Sequence, residues 1–228
     1  LYGVRAAMRA FLRYLYIQGE LEWDFGGDLA RPSRFSADQR PKYLPWSEVE
    51  AFLSGVDRAS PVGKRAYAVL TLLACQGLRA GEVAKLRLED LDLEAGSIFV
   101  RERKNGQSAR LPMSARAKEA LEDYVQVRPA SERGPVFVTV DTSLKPMSAV
   151  GVGRLAGSRL RRRFPGRIES CGSHVLRHSF AKCLLDRGAR LTDLGLMLGH
   201  RHLRSTLMYA RIATEELREV ADNYARLL

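Results

Sequence analysis

All four histidines of the chain, His174, His178, His200 and His202, fall between Ser173 and Ile212. Arg177 stands beside the first two, and an isolated tyrosine, Tyr209, follows His200 by nine residues. If this stretch is helical, His174 and Arg177 share a face, being three apart. A buried helix with two cationic or proton-carrying groups on one face is unfavourable unless an anion docks there. Phosphate is the obvious anion, so this stretch is where chemistry is expected. Leu184 and Leu185, then Leu191, Leu194, Leu196, Met197 and Leu198, supply apolar backing, and Arg187-Gly188 between them is a helix stop.

The elements that must position these groups belong to a chain of 228 residues, long enough to bury a sizeable core. Its apolar fraction of 46% and charged fraction of 28% are those of a soluble globular protein. A net charge of +11 and a pI near 9.9 point further, to a polyanionic partner. The charge is clustered: from Thr142 to Ile168 there is no acidic residue, while Lys145, Arg154, Arg159, Arg161, Arg162, Arg163 and Arg167 all occur. Arg154, Arg159, Arg161, Arg162 and Arg163 are the candidate contacts to such a polyanion. The cysteines, Cys75, Cys171 and Cys183, are odd in number and read as reduced core thiols of a cytoplasmic protein. No apolar run reaches membrane-spanning length and no signal peptide is evident, so no membrane role is expected.

Residues Tyr2 to Ile17 place Val4, Met8, Phe11, Leu12 and Leu15 at amphipathic-helix spacing. This helix is expected to close an earlier domain, with a Gly-, Pro- and Arg-rich linker from Asp24 to Lys42 after it. The expected division is therefore 1–42 and 43–228. Ser47 reads as the cap of a helix carrying Val49, Phe52 and Leu53. Lys64 to Cys75 is a largely apolar helix, interrupted at Gln76–Glu82 before another that runs to about Leu86. Ser97–Val100 and Ala109–Met113 read as strands joined by a turn at Lys104-Asn105-Gly106-Gln107, and Pro135–Val138 as a third strand. Ser114 caps a helix to about Val127, Ser148 to Phe164 is a basic helix, and Thr214 to Leu227 a terminal one. The expected fold is mostly α with a small three-stranded antiparallel sheet.

The order of the motifs resembles the catalytic domain of the tyrosine recombinases, the phage-integrase or Xer-type family. Gly77-Leu78-Arg79-Ala80-Gly81-Glu82 is similar to the family's G-L-R-x-x-E box, His174-Val175-Leu176-Arg177-His178 to H-x-L-R-H, and Leu198-Gly199-His200 to L-G-H. Lys104, eight residues before Pro112, sits where the family keeps a hairpin lysine, and Tyr209 where it keeps its nucleophile. The resemblance, from about Leu44 to Arg211, implies a catalytic set of Arg79, Lys104, His174, Arg177, His200 and Tyr209, supported by Glu82 and His178. It implies double-stranded DNA as partner, a homo-oligomer on DNA (a tetramer in the family) with exchange of C-terminal helices, and a 3′-phosphotyrosyl intermediate. Residues 1–42 would then be a remnant of a core-binding domain.

The residue chemistry suits that reading. A phosphodiester can be broken with no metal or other cofactor if a side chain attacks and cations neutralise charge on the non-bridging oxygens. Arg79 and Arg177 are permanently charged forks that hold phosphate oxygens in pairs. His174 can accept the nucleophile's proton or hold a phosphate oxygen, Lys104 can protonate the leaving 5′-oxygen, and His200 can donate a further hydrogen bond. Glu82 would orient Arg79 or a histidine, and His178 would stand behind the reacting groups. Taken singly, each has a plainer role: a helix-end arginine, a hairpin charge, a half-buried core tyrosine. A metal hydrolase is a weaker fit, since Val175 occupies the place of a metalloprotease glutamate and Arg177 opposes a bound cation. A DNA-binding protein that kept the fold without catalysis is the remaining alternative.

Overall fold

The computed structural model describes residues 2–22, 25, 42–103, 106–129, 134–139, 144–167, 172–199, 206 and 209. The chain divides into two compact units, Leu1–Arg40 and Pro41–Leu228. In the first, helix α1 spans Tyr2–Ile17, and Met8, Phe11 and Ile17 on it are exposed.

In the second unit, α2 (Trp46–Ser54) begins one residue before the expected cap. Pro45 occupies the N-cap position and Ser47 lies inside the first turn, where proline's fixed φ has already set the entry. Helix α3 (Pro61–Cys75) is longer than its apolar run suggested, because Ser60 Oγ accepts from Gly63 N at 3.1 Å and Pro61 fills the first helical position. It is the central helix, buried along nearly its whole length from Ala66 to Ala74. Helix α4 (Ala80–Lys85) follows a turn at Gly77, and a 3₁₀ turn at Leu88–Asp90 leads into the sheet.

The sheet is three-stranded and antiparallel in the order β1 (Leu91–Asp92), β2 (Ser97–Val100), β3 (Ala109–Pro112), with Ile98 opposite Leu91 on one side and Leu111 on the other. The third strand is therefore Leu91–Asp92. Pro135 and Val138 make only isolated bridges, to Arg87 and Pro146, so the apolar run Pro135–Val138 is buried loop rather than sheet. The first bridge is carried by Val136 N donating to Leu86 O at 2.8 Å and Leu88 N to Gly134 O at 2.9 Å, while Val136 O accepts from the Arg128 side chain, Nε, at 3.0 Å instead of from a further strand.

Ser114 caps α5 (Ala115–Val127) as expected, and Ser148, read as the first residue of a basic helix, is the cap of α6 (Ala149–Arg163). Helices α7 (His174–Asp186) and α8 (Leu191–Leu198) complete the described part, with Gly188 at φ +84° in the turn that ends α7. Helix α3 packs on α5 and α7, α4 on α6, and α7 on α2 and α8. The main core runs from Leu44 through α3 to Leu176, and a smaller cluster joins Phe180, Ala181, Leu194, Leu198 and Tyr209. Leu196, expected as backing for the site, is instead 75% exposed.

Candidate active site

Four consecutive carbonyls at the C-terminal end of α8 draw the site together. The last carbonyls of a helix have no partner within it and carry the negative end of its dipole. Here each is met by an arginine from another element. Arg103 Nη1 donates to Leu196 O at 3.0 Å and its Nη2 to Met197 O. Arg177 Nη2, from α7, donates to Leu198 O at 2.7 Å, and Arg79 Nη2, from the start of α4, reaches Gly199 O at 3.4 Å.

Glu82 is the counter-ion inside this ring. It sits in the first turn of α4 and turns back: Oε2 accepts from the Arg79 backbone N–H and Oε1 from Arg79 Nη1, both at 2.8 Å. Arg103 Nε lies 3.7 Å and Arg177 Nη1 3.9 Å from the same carboxylate, ion pairs too long for hydrogen bonds. Glu82 therefore orients Arg79, one of the two roles its spacing allowed. Three guanidiniums against one carboxylate leave the cluster with an excess of positive charge, mostly out of water. The side chains of Arg103 and Arg177 are 2% and 4% exposed, Arg79 19%. Arg79 is thus the most open of the three.

Burial, with Arg79 nearby, lowers the Arg177 pKa to about 10, and Glu82 opposes the shift. Arg177 Nη1 also donates to Gly77 O. Gly77 lies at φ +60°, and a Cβ there would sit 2.5 Å from Phe180 and 2.9 Å from Leu198, so only glycine lets this turn approach α7 and α8. The glycine of the G-L-R box is thus explained by close approach.

Tyr209 is 1% exposed and shares a 2.8 Å hydrogen bond with His178 Nδ1, the rings 5.7 Å apart. Burial raises the phenol to about 12, with Arg177 and Arg79 pulling the other way. Burial, then His174 and Arg177, lowers His178 to about 4, so the imidazole is neutral at pH 7. Thr206, three residues before Tyr209 and fully buried, packs against Gly195 of α8.

His178, expected to stand behind the reacting groups, is the residue that touches the tyrosine. His174 is exposed at the start of α7, its ring 6.2 Å from that of His178, while Arg177 is buried, so the two do not present themselves alike. The structure brings together Arg79, Glu82 and Arg177, and pairs His178 with Tyr209. Lys104, His200 and the expected helix Thr214–Leu227 lie outside the described residues. Arg154, Arg161, Arg162 and Arg163 form an exposed basic stretch of α6, and Arg159 is partly covered. Arg103 was not apparent from sequence, because Arg101-Glu102-Arg103-Lys104 reads as an ordinary charged hairpin.

The phage integrase family profile matches residues 42–216, the whole of the span that carries these groups. The chain belongs to the phage integrase family. This integrase-family chain is 34% identical over 222 residues to a putative integrase/recombinase, y4rA, of Sinorhizobium fredii, covering 96% of this chain and 53% of that protein. It is 33% identical to tyrosine recombinase XerC 2 of Ralstonia nicotianae (97% and 63% covered) and 30% identical to XerD of Listeria innocua (96% and 73%). The chain spans about half the length of y4rA and of a second Sinorhizobium fredii relative, y4rF. Its fold is shared with XerA recombinase at a TM-score of 0.66 and 22% identity, over 94% of this chain and 81% of that one. It is shared also with XerH recombinase bound to a palindromic difH substrate, at a TM-score of 0.69 and 21% identity, over 85% and 56%.

Proposed function

We propose that this protein is a site-specific DNA recombinase that cuts and rejoins strands through a 3′-phosphotyrosyl intermediate without metal. The observation that carries this reading is the excess of buried guanidinium charge at the end of α8, within electrostatic reach of Tyr209. Such a cluster suits the dianionic transition state of a phosphodiester in displacement, where donors fixed in advance stabilise charge as it develops. Similar proteins support DNA as partner: the XerH structure holds its difH substrate.

In the proposed reaction the Tyr209 hydroxyl oxygen attacks phosphorus and the bond to the 5′-oxygen breaks. The phenolic proton passes to a histidine, and Lys104 gives a proton to the departing 5′-oxygen. Arg79, the most open of the three guanidiniums, meets the non-bridging oxygens, and the buried Arg177 adds its charge from behind, assisted by His200. The product keeps one phosphoester on tyrosine and one free 5′-hydroxyl, so the reverse attack by another strand's hydroxyl reseals DNA with no external energy source. A phenol held near pKa 12 is a poor nucleophile until its proton has an acceptor. His178, already bonded to it, and His174, exposed beside His178, are the two imidazoles in line for that role. Assembly on DNA as a homo-oligomer that exchanges the segment after Tyr209, and action in the cytoplasm, belong to the same proposal.

The test is incubation with a nicked suicide duplex bearing the cognate site, in chelator. Wild type should accumulate a covalent protein–DNA adduct and Tyr209→Phe none. An adduct formed by Tyr209→Phe, or cleavage only with added metal, would overturn the reading. No adduct, with specific binding intact, would favour a DNA-binding protein that does not cut.

A further inference from the structure

Strand β2 alternates in the ordinary way, with Ile98 and Val100 buried between the half-exposed Ser97 and Phe99. Continued, that alternation would turn Glu102 inward and Arg103 to solvent. The structure does the reverse. Glu102 adopts φ +41°, a left-handed conformation that is unfavourable by about 1 kcal/mol or more for a residue with a Cβ. Its side chain is 79% exposed and pairs loosely with Lys85. This single reversal swings Arg103 inward until it is 2% exposed.

Both ends of Arg103 are then held. Its backbone closes the hairpin tip, with N–H donating to Gln107 O at 3.0 Å and C=O accepting from Gly106 N at 2.7 Å. Its guanidinium spans Leu196 O and Met197 O at the end of α8 and faces Glu82. Gly199, the helix cap at φ +60°, makes room for it: a Cβ there would lie 2.6 Å from Arg103 Cζ. The residue after Arg103 in sequence is Lys104, and the residue after Gly199 is His200.

We propose that Arg103 is a positioning residue that ties the β2–β3 hairpin to the C-terminal end of α8. The residue that follows Arg103 in sequence, Lys104, would thereby be held to one frame with Arg79 and Arg177. Unlike Arg79, Arg103 has no exposed face to offer a phosphate, and both its terminal nitrogens are engaged by helix carbonyls. Its part is to place other groups. The inference rests on the reading of Lys104 as the proton donor to the 5′-oxygen.

The experiment is single-turnover cleavage of the suicide duplex by wild type, Arg103→Ala, Arg103→Lys and Lys104→Ala. Each is run on ordinary DNA and on DNA with sulfur in place of the bridging 5′-oxygen, whose departure needs no proton. A misplacement near 1 Å is enough to slow chemistry on the order of 100-fold, so Arg103→Ala should lose roughly 10- to 100-fold on ordinary DNA. Arg103→Lys should fall between it and wild type. Sulfur should restore both to within a few-fold of wild type, with half-site affinity unchanged. Equal loss on both substrates, or cleavage by both variants at the wild-type rate, would overturn the proposal. If Arg103→Ala does not fold, Arg103→Lys decides on the same criteria. Failure of sulfur to rescue Lys104→Ala would remove the underlying reading of Lys104, and the proposal with it, whatever the Arg103 variants do.

Discussion

Replacing Glu82 by glutamine removes the one negative charge at the centre of three guanidiniums while keeping the side chain's size and one carbonyl acceptor. The hydrogen bonds to Arg79 N and Nη1, each 2.8 Å, can be kept in part, so the perturbation is chiefly electrostatic. Removing one partner of a buried ion pair destabilises by about 3–5 kcal/mol because the other charge stays behind. Glu82 is 6% exposed but Arg79 is 19% exposed, which moves the expectation to the low end, about 3 kcal/mol. For a unit of this size each kcal/mol shifts Tm by about 2–4 °C, so the variant should melt roughly 6–12 °C lower. Circular-dichroism melts in low salt at pH 7 measure this. Sulfate, a tetrahedral dianion, should stabilise the variant more than wild type, since a ligand that binds only the folded state adds stability by mass action. A variant that melts within about 2 °C of wild type, or gains no more from sulfate, would show that the carbonyls at the end of α8 neutralise these arginines without Glu82.

Three further outcomes follow from the same geometry. Gly77→Ala adds a left-handed penalty to an overlap with Phe180 and Leu198, and should lower stability by about 2–4 kcal/mol by denaturant titration while weakening the Arg177–Gly77 bond. His178 has its pKa depressed from 6.5 to about 4, so the unfolded chain binds the proton first and stability is lost as pH falls through that window. The groups acting on it are His174, Arg177 and Tyr209, and the contribution is about 3 kcal/mol at most, to be read as the difference in pH–stability slope between wild type and His178→Asn. Replacing Arg161, Arg162 and Arg163 together by glutamine should reduce the slope of log affinity against log salt by up to about 3 if all of them meet phosphates; an unchanged slope would leave them as cations that offset the α6 dipole.

Much of the frame was legible in the residues because its signals are local. Ser114 and Ser148 sit at helix starts, where a short side-chain oxygen satisfies an orphan N–H within three residues, whereas the Ser60 cap was not legible because the apolar run begins only at Lys64. The apolar run Lys64–Cys75 is too long for a strand and proved to be the buried centre of the unit. Even Glu82 was readable, since a carboxylate three residues past Arg79 can reach back within one helical turn. Pro135–Val138 misled because burial and β-forming composition do not specify a strand partner: the backbone of residues 134–139 meets Leu86 and Leu88 on one side and Lys145 and Met147 on the other, in isolated bridges and not in a ladder. Ser47 misled because Pro45 had already set the entry to α2.

The sequence alone determined which groups are available: permanent forks, titratable rings, a phenol and the glycine turns that let helices meet. Only tertiary structure decided which of them touch. Arg103 could not be told from Arg101 by type or local charge; Arg101 keeps the outward side of the strand alternation, and one left-handed residue after it turns Arg103 into the cluster. The resemblance set His174 among the catalytic groups and His178 behind them, but which imidazole hydrogen-bonds Tyr209 depends on the side of α7 on which that tyrosine packs, and there it is His178. The carbonyls that gather Arg79, Arg103 and Arg177 have no side-chain signature at all. Any helix end exposes such groups, and what makes this one a site is the convergence of three elements from distant parts of the chain, which depends on long-range packing that no local pattern encodes.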